Sequence, residues 1–382
     1  MISKSISYGK QFIDDDDIDA VVNVLKSDFL TQGSNVSNFE SKLSDYVGSN
    51  YCVALSSGTT ALHIAYTLLN LSKGDEVITS PLTFAATSNA ILYTGAKPVF
   101  VDIDIDTGLI DISKIESKIT DKTKAISVIH YSGLPCNMQE VRKIADKYNL
   151  KVIEDACHAL GAKIGDDFIG SCKYSDVTVF SFHPVKHITT GEGGAITLNN
   201  KELYERALAL RSHGIIRDNF KTMPDSPLFH EMVELGFNYR LTDFQAALGI
   251  SQLQKLDKFV EKRRLISEKY RKEFKNIDIF NCIKEIDGYI NSYHLFPIIF
   301  KNNEIRNKAY NLLKEKNIFC QIHYMPVNRH YYYKSIGYDY KETPKAYDFY
   351  QRELSIPIYP KMSGEEIDYV VEAVKNISEG LI

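Results

Sequence analysis

Several features are scarce or missing in these 382 residues, and each absence excludes something. The six cysteines are scattered, with no Cys-x-x-Cys pair and no metal-ligand spacing. They therefore read as reduced cytosolic thiols, and neither a disulfide framework nor a bound metal is expected. No apolar run approaches membrane-spanning length. The opening Met1-Ile2-Ser3-Lys4 has no apolar signal core, so a soluble cytoplasmic protein without membrane contact is expected. Basic charge is not in excess, since the net charge is −4. A broad nucleic-acid surface is thus not expected, although a local basic pocket for a diphosphate is invisible in that total. The run Arg329-His330-Tyr331-Tyr332-Tyr333 has no excess of basic surroundings either, and reads as a substrate-side loop or as packing. No Gly-x-Gly-x-x-Gly follows an early strand, which argues against a dinucleotide fold. There is no internal repeat and no low-complexity segment.

What is present is a long alternation of short apolar strands with helical patterns. The expected strands are 51–55, 76–79, 98–101, 125–130, 151–154, 177–182 and 195–198, with helices such as 59–71 and 138–148 between them. That pattern is an α/β fold with a mostly parallel central sheet covered on both faces. A helix expected from about 242 to 276 leads into a smaller α+β part. There a strand is expected within 289–299, a helix near 305–316, a strand at 319–322 and a last helix near 364–377. The length suits two domains, a large one over 1–250 and a small C-terminal one over 251–382.

The segment from Val179 to Gly194 is the most informative in the chain. An apolar strand ends near Ser181, Lys186 follows, and Thr189-Thr190-Gly191-Glu192-Gly193-Gly194 turns the chain into the next strand. A lone lysine on a loop is normally a surface residue. Held between two buried strands, its charged form is disfavoured, and a lowered pKa makes the amine nucleophilic. Schiff-base chemistry needs such an amine.

Asp155 stands at the carboxyl end of the strand Lys151-Val152-Ile153-Glu154, where open α/β sheets place ligand-binding groups. Alone it reads as a helix cap. Paired with Lys186 it supplies the carboxylate that pyridoxal 5'-phosphate (PLP) needs at its ring nitrogen. After the strand ending at Leu55, Ser56-Ser57-Gly58-Thr59-Thr60 opens a helix whose N–H groups and dipole suit a phosphate. The lysine of a nucleotide P-loop is absent, so a single phosphate fits better than a triphosphate.

These segments, with Pro81-Leu82-Thr83-Phe84-Ala85-Ala86-Thr87, Glu154-Asp155-Ala156-Cys157-His158-Ala159 and Leu235-Gly236-Phe237-Asn238-Tyr239-Arg240-Leu241-Thr242-Asp243, carry a resemblance. Almost the whole chain resembles the DegT/DnrJ/EryC1/StrS family of sugar-nucleotide aminotransferases, which use PLP on a fold of type I. The resemblance implies Lys186 and Asp155 as the catalytic pair. It implies Phe84 over the cofactor ring and His158 near the cofactor's phenolic oxygen. Gly58, Thr59 and Ser181 would hold the phosphate. Asn238 would reach the phosphate of a neighbouring subunit, which makes the enzyme a homodimer with shared active sites. For the sugar nucleotide it points to Tyr8, Asp28, Phe29, Leu30, Thr31, His183, His323, Tyr324, Met325 and Pro326. Arg240 would meet the donor carboxylate or the diphosphate, or form a surface salt bridge. At Asp28, Phe29 and His187 the chain departs from the residues usual among similar members.

Within the family, Leu30-Thr31-Gln32-Gly33, Ser181 to Lys186, Arg211-Ser212-His213-Gly214 and Gln321-Ile322-His323-Tyr324 look most like members acting on the route to pseudaminic acid. The implied reaction is amination of the C4 ketone of UDP-2-acetamido-2,6-dideoxy-β-L-arabino-hex-4-ulose, with L-glutamate as donor. The alternatives are another nucleotide 4-keto sugar, of the UDP-bacillosamine or dTDP type, and a non-catalytic PLP-binding sensor. Dehydratases of the group carry histidine in place of the lysine, and Lys186 argues against that chemistry. A sensor with an appended helix-turn-helix is not expected, because the fold takes up the whole chain.

Overall fold

The computed structural model describes residues 5–222 and 230–381. Its central sheet has seven strands, β1 (Tyr51–Leu55), β2 (Glu76–Thr79), β3 (Lys97–Phe100), β4 (Thr123–Ile129), β5 (Lys151–Asp155), β6 (Val177–Ser181) and β7 (Gly194–Leu198). Every strand expected in this sheet is present, with its ends moved by a residue or two at most. The spatial order is β1-β7-β6-β5-β4-β2-β3. Only β7 runs antiparallel to its neighbours; the other pairs are parallel.

Alternate side chains of each strand enter two different apolar layers, because successive Cβ atoms point to opposite faces. Cys52 and Ala54 of β1 join one core, and Val53 and Leu55 join the other. In the same way Val177 and Val179 separate from Phe180 and Phe182. Both faces are therefore covered, which is why these strands read as nearly continuous apolar runs. The helix Gly58–Leu68 packs Ala61, Leu62, Ile64, Ala65 and Leu68 into the second layer. Ser57 caps it, accepting the Thr60 N–H at 3.1 Å, while the Thr60 hydroxyl accepts the Ser57 N–H at 3.0 Å.

Another core brings together Tyr270, Phe274, Phe280, Phe296, Phe300, Leu354 and Val370. It is built on the antiparallel strands Phe280–Cys282, Phe296–Phe300 and Glu353–Ile356 and on the helices Asn303–Glu315 and Gly364–Gly380. Ile6 is fully buried in it, and Ile6–Ser7 pairs in parallel with Ile318–Phe319. Residue 6 thus packs into a core otherwise built from residues 266–377.

Three expected elements differ. The single helix over 242–276 is two, Asp243–Leu253 and Leu256–Phe274. The chain turns between them, where Lys255 pairs with Asp17 at 3.0 Å and with Asp14. The strand expected within 289–299 is split. Tyr289–Ile290 pairs with Lys163–Ile164, and Phe296–Phe300 is the middle strand of the small sheet. Between them Tyr293 takes a left-handed conformation and His294 is buried. The strand expected at 319–322 is only Ile318–Phe319. Gln321 still pairs with Ser355, and the chain then leaves the sheet edge and lines a cavity. No helix among the described residues is long and apolar enough to cross a membrane.

Candidate active site

The carboxyl ends of β1, β4, β5 and β6 lie along one edge of the sheet, where Gly194 begins β7 opposite Leu55 and Ser181. Parallel sheets place ligands at that edge. Here a cavity of about 560 Å³ is lined by the start of the Gly58 helix, the ends of β5 and β6, the loop after β6, Tyr8 and residues 321–324. Two glycines allow this close approach. A Cβ on Gly194 would stand 2.5 Å from the Ser57 carbonyl oxygen, and one on Gly58 would stand 2.8 Å from the Ser181 Cβ.

Lys186 sits in the turn after β6, where its N–H donates to the His183 carbonyl at 2.8 Å. The loop is closed behind it by hydrogen bonds from the Phe182 N–H to Gly193 and from the Thr190 N–H to Phe182. Its Nζ lies 3.4 Å from Nε2 of His294. Burial lowers the amine from the ordinary lysine range, Cys157 and Asp155 oppose that, and Arg263 adds to it. The result is a nucleophilic amine facing a carboxylate.

Asp155 closes β5 and is 5% exposed. Its Oδ2 accepts from Thr87 Oγ1 at 2.6 Å and its Oδ1 from the Cys157 N–H at 3.2 Å. Thr83 Oγ1 stands 2.8 Å from Thr87 Oγ1, so a pair of hydroxyls orients the carboxylate. The N–H groups of Gly58 and Thr59, which also line the cavity, open a helix and have no intrahelical acceptor. The Ser181 hydroxyl is adjacent to Gly58.

A histidine group surrounds the lysine. His158 lies 4.3 Å from His294 between ring centroids, and its Nε2 is 3.1 Å from the Tyr324 hydroxyl. Burial foremost, and then Lys186, hold His158 and His294 well below the ordinary histidine range, so both rings are neutral. The exposed Phe84 reaches over the cavity mouth, 6.2 Å from the Tyr324 ring.

Of the residues singled out from the sequence, Tyr8, Gly58, Thr59, Phe84, Asp155, His158, Ser181, His183, Lys186, His323 and Tyr324 line this one cavity. The others lie outside it. Asp28, Phe29, Leu30 and Thr31 are exposed, tied to the body by the Asp243 N–H donating to the Leu30 carbonyl at 2.9 Å. Asn238 is exposed and bridges to Ser212. Arg240 lines a separate cavity of about 240 Å³ with Gln32, Gly33 and Arg211. Met325 and Pro326 follow the cavity wall without lining it. The run from Arg329 to Tyr333 turns away, with His330, Tyr332 and Tyr333 lining another cleft beside Asn89 and Tyr93. Thr87, Cys157 and His294 were not singled out. Thr87 and Cys157 lie inside motifs already noted, whereas His294 sits in a segment with no motif.

A buried carboxylate, a depressed amine and a helix N-terminus around one cavity are the donor set that PLP requires. Asp155 would meet its ring nitrogen, Lys186 its carbonyl carbon, and Gly58, Thr59 and Ser181 its phosphate. Fold and donor set define a PLP-dependent aminotransferase of fold type I. Residues 11–375 match the DegT/DnrJ/EryC1/StrS aminotransferase family. The chain belongs to that family and is a sugar aminotransferase. It is 42% identical over 379 residues to the UDP-4-amino-4,6-dideoxy-N-acetyl-beta-L-altrosamine transaminase of Campylobacter jejuni (strain 81-176), covering 98% of both chains. Among solved structures, PseC of Helicobacter pylori, an aminotransferase involved in biosynthesis of pseudoaminic acid, superposes with a TM-score of 0.92. That match has 32% identity and covers 99% of this chain and 100% of PseC. Spr1654 from Streptococcus pneumoniae in its PLP form gives a TM-score of 0.92 at 29% identity, over 99% of this chain and 100% of that one.

Proposed function

We propose that the protein aminates C4 of UDP-2-acetamido-2,6-dideoxy-β-L-arabino-hex-4-ulose, with L-glutamate as donor, in a pathway to pseudaminic acid. The observation that carries the reading is the convergence of Lys186 and Asp155 on one cavity. That cavity lies in a chain similar end to end to a transaminase named for the amino sugar this step yields.

When bound, PLP supplies a carbonyl carbon for the lysine and an electron-accepting ring. Asp155, oriented by Thr87, holds a proton at the facing ring nitrogen. With the cofactor bound, the Lys186 amine would take the proton from the donor's α-carbon. In the second half-reaction the same amine returns a proton to C4 of the sugar from one face, which sets the stereochemistry. Tyr8, His183, His323 and Tyr324 line the cavity and would hold the keto sugar, and the aromatic Phe84 would cover the cofactor. The free thiols of all six cysteines suit a reducing cytoplasm.

A second copy of the chain completes the site. Asn238 lies outside its own chain's cavity, and Phe29, Leu30 and Leu235 expose apolar surface, at 63%, 47% and 82%. A homodimer that covers these residues and brings Asn238 to the partner's phosphate accounts for both facts.

The test is a two-step absorbance experiment on the holoenzyme. L-Glutamate is expected to bleach the visible band of lysine-bound cofactor. Adding the L-arabino keto sugar is expected to restore it, and the D-xylo epimer is not. Recovery with the D-xylo epimer alone assigns a bacillosamine-type substrate. Bleaching without recovery from either rejects both sugars. No bleaching at all rejects glutamate as donor.

A further inference from the structure

Beneath the cavity wall His323 is backed by a polar chain, Glu353 and Ser355, that the chemistry above does not use. Glu353 and Ser355 are fully buried, and His323 is 4% exposed. Glu353 Oε2 accepts the His323 backbone N–H at 2.7 Å, and its Oε1 lies 2.6 Å from Ser355 Oγ. Ser355 Oγ in turn lies 2.9 Å from Nδ1 of His323. The histidine is pinned from a third side, because its carbonyl accepts the Tyr131 hydroxyl at 2.6 Å. Its Nε2 has no partner among the described residues and is not sealed in the interior, so it is the ring atom open to the cavity.

The groups around the carboxyl are few. Arg306 approaches from the helix Asn303–Glu315 but gives its Nε to the Gln351 carbonyl at 3.1 Å. Among the described residues it forms no ion pair with Glu353. Cys320, Tyr131 and Tyr324 also face Glu353, and burial raises all three of them, so they stay neutral. Burial first lowers His323 to about 3, with Lys186 adding to the effect, so its ring is neutral and must choose a tautomer.

An ionised carboxylate only accepts hydrogen bonds, whereas a protonated one also donates. With Glu353 ionised, Ser355 O–H donates to it, His323 Nδ1–H donates to Ser355, and Nε2 is left as a bare acceptor. With Glu353 protonated at Oε1, the direction reverses. Glu353 donates to Ser355, Ser355 donates to Nδ1, and Nε2 carries the proton. No heavy atom moves between the two states. Resting on the keto-sugar reading above, we infer that Glu353 is a positioning residue. Through Ser355 it sets the tautomer of His323 and so decides whether the cavity offers an N–H donor to an acceptor oxygen of the sugar nucleotide. Burial raises Glu353 to about 8, opposed by Ser355, the His323 N–H and Arg306. At neutral pH it is mostly protonated and the donor form prevails.

The test reads the ring directly by nitrogen NMR of the holoenzyme with labelled histidine, the His323 signals being those lost in His323→Gln. In the native enzyme Nε2 is expected to be protonated well below a pH of about 8 and bare well above it. In Glu353→Gln the amide mimics the protonated acid, and Nε2 is expected to stay protonated throughout. Should that variant not fold, Ser355→Ala is expected to abolish the switch. The KM for the keto sugar is expected to rise about tenfold above the switch in native enzyme and to stay flat in Glu353→Gln, the loss of one buried hydrogen bond. The glutamate half-reaction is expected to be the same in both. An Nε2 that does not change with pH, or a Glu353→Gln profile that titrates like the native one, overturns the inference. So does a tautomer switch that leaves the sugar KM unchanged. A switch in an enzyme that aminates no keto sugar overturns the proposed function and leaves the relay standing.

Discussion

Thr87 Oγ1 donates to Asp155 Oδ2 at 2.6 Å, and the two residues come from segments 68 positions apart. The threonine sits in the first turn of the helix Ala85–Tyr93, which Phe84 precedes, so on the proposed reading one short motif would serve both the cofactor's edge and its face. The carboxylate is aimed by this bond. Thr87→Val is expected to lower kcat/KM by about tenfold to a hundredfold, the worth of one hydrogen bond to a charged group. Asp155→Asn removes the charge itself and is expected to cost about 10²–10³-fold. Steady-state kinetics on the two variants checks the order. A Thr87→Val loss equal to that of Asp155→Asn counts against a merely orienting role.

Among the described residues, Lys186 is the lysine that lines the cavity, and burial lowers it from the ordinary range. Lys186→Ala is expected to lose turnover by at least about 10²-fold, as removal of a general acid–base group does. It is also expected to lose the mass increment that borohydride reduction leaves on the native holoenzyme. Full activity in that variant excludes the role assigned to Lys186.

Gly58 touches Ser181 so closely that an added methyl would stand 2.8 Å from its Cβ, and both backbones are anchored in the sheet and helix. Gly58→Ala is expected to cost about 1–3 kcal/mol in stability. It is also expected to weaken PLP retention, because the phosphate cradle must widen. Gly364, where a Cβ meets nothing within 4 Å, is the control, and Gly364→Ala is expected to stay within about 0.5 kcal/mol. Thermal unfolding and fluorescence-monitored PLP dissociation read the two effects separately.

The central sheet was legible in the sequence because each strand is a short apolar run bounded by turn residues, and β5 and β6 end on the polar residues that serve the site. Lys186 and Asp155 were legible for the same reason, since each follows a strand it can be assigned to. His294 was not legible. It stands inside the stretch 289–299 that reads as holding one strand, and only the left-handed turn at Tyr293 and the pairing of Tyr289–Ile290 with a different sheet place it by the lysine. Glu353 was hidden likewise, as a carboxyl opening a short strand that is buried against a strand more than fifty positions earlier. The break near Lys255 turned on ion pairs with residues some 240 positions earlier, which no local pattern can show.

Acid is expected to act through a second buried pair. His130 Nε2 lies 2.8 Å from Glu154 Oε2, and the Cys136 N–H donates to His130 Nδ1 at 3.0 Å. Burial works to raise the Glu154 carboxyl, but hydrogen bonds from His130, Ser175 and Thr178 outweigh it and leave it below the ordinary range. A depressed folded value stabilises the protein above the unfolded glutamate value of about 4.3, and that contribution is lost as pH falls through the folded value. Glu154→Gln is expected to cost about 1–3 kcal/mol at neutral pH. Its Tm is also expected to fall less steeply than that of the native protein below a pH of about 4.3. Parallel Tm curves contradict the linkage.

If Asn238 serves the neighbouring subunit, two inactive variants repair each other. Lys186→Ala keeps a sound Asn238, and Asn238→Ala keeps a sound Lys186. In a mixed dimer one site then combines the intact lysine of one subunit with the intact asparagine of the other, while the second site lacks both. Random pairing of equal amounts makes half the dimers mixed, with one of two sites restored, so recovery of about a quarter of native activity is expected. The measurement is activity after the two variants are unfolded, mixed and refolded with PLP, against each variant refolded alone. No gain on mixing assigns Asn238 to its own chain, where its exposed position leaves it no contact with the cavity.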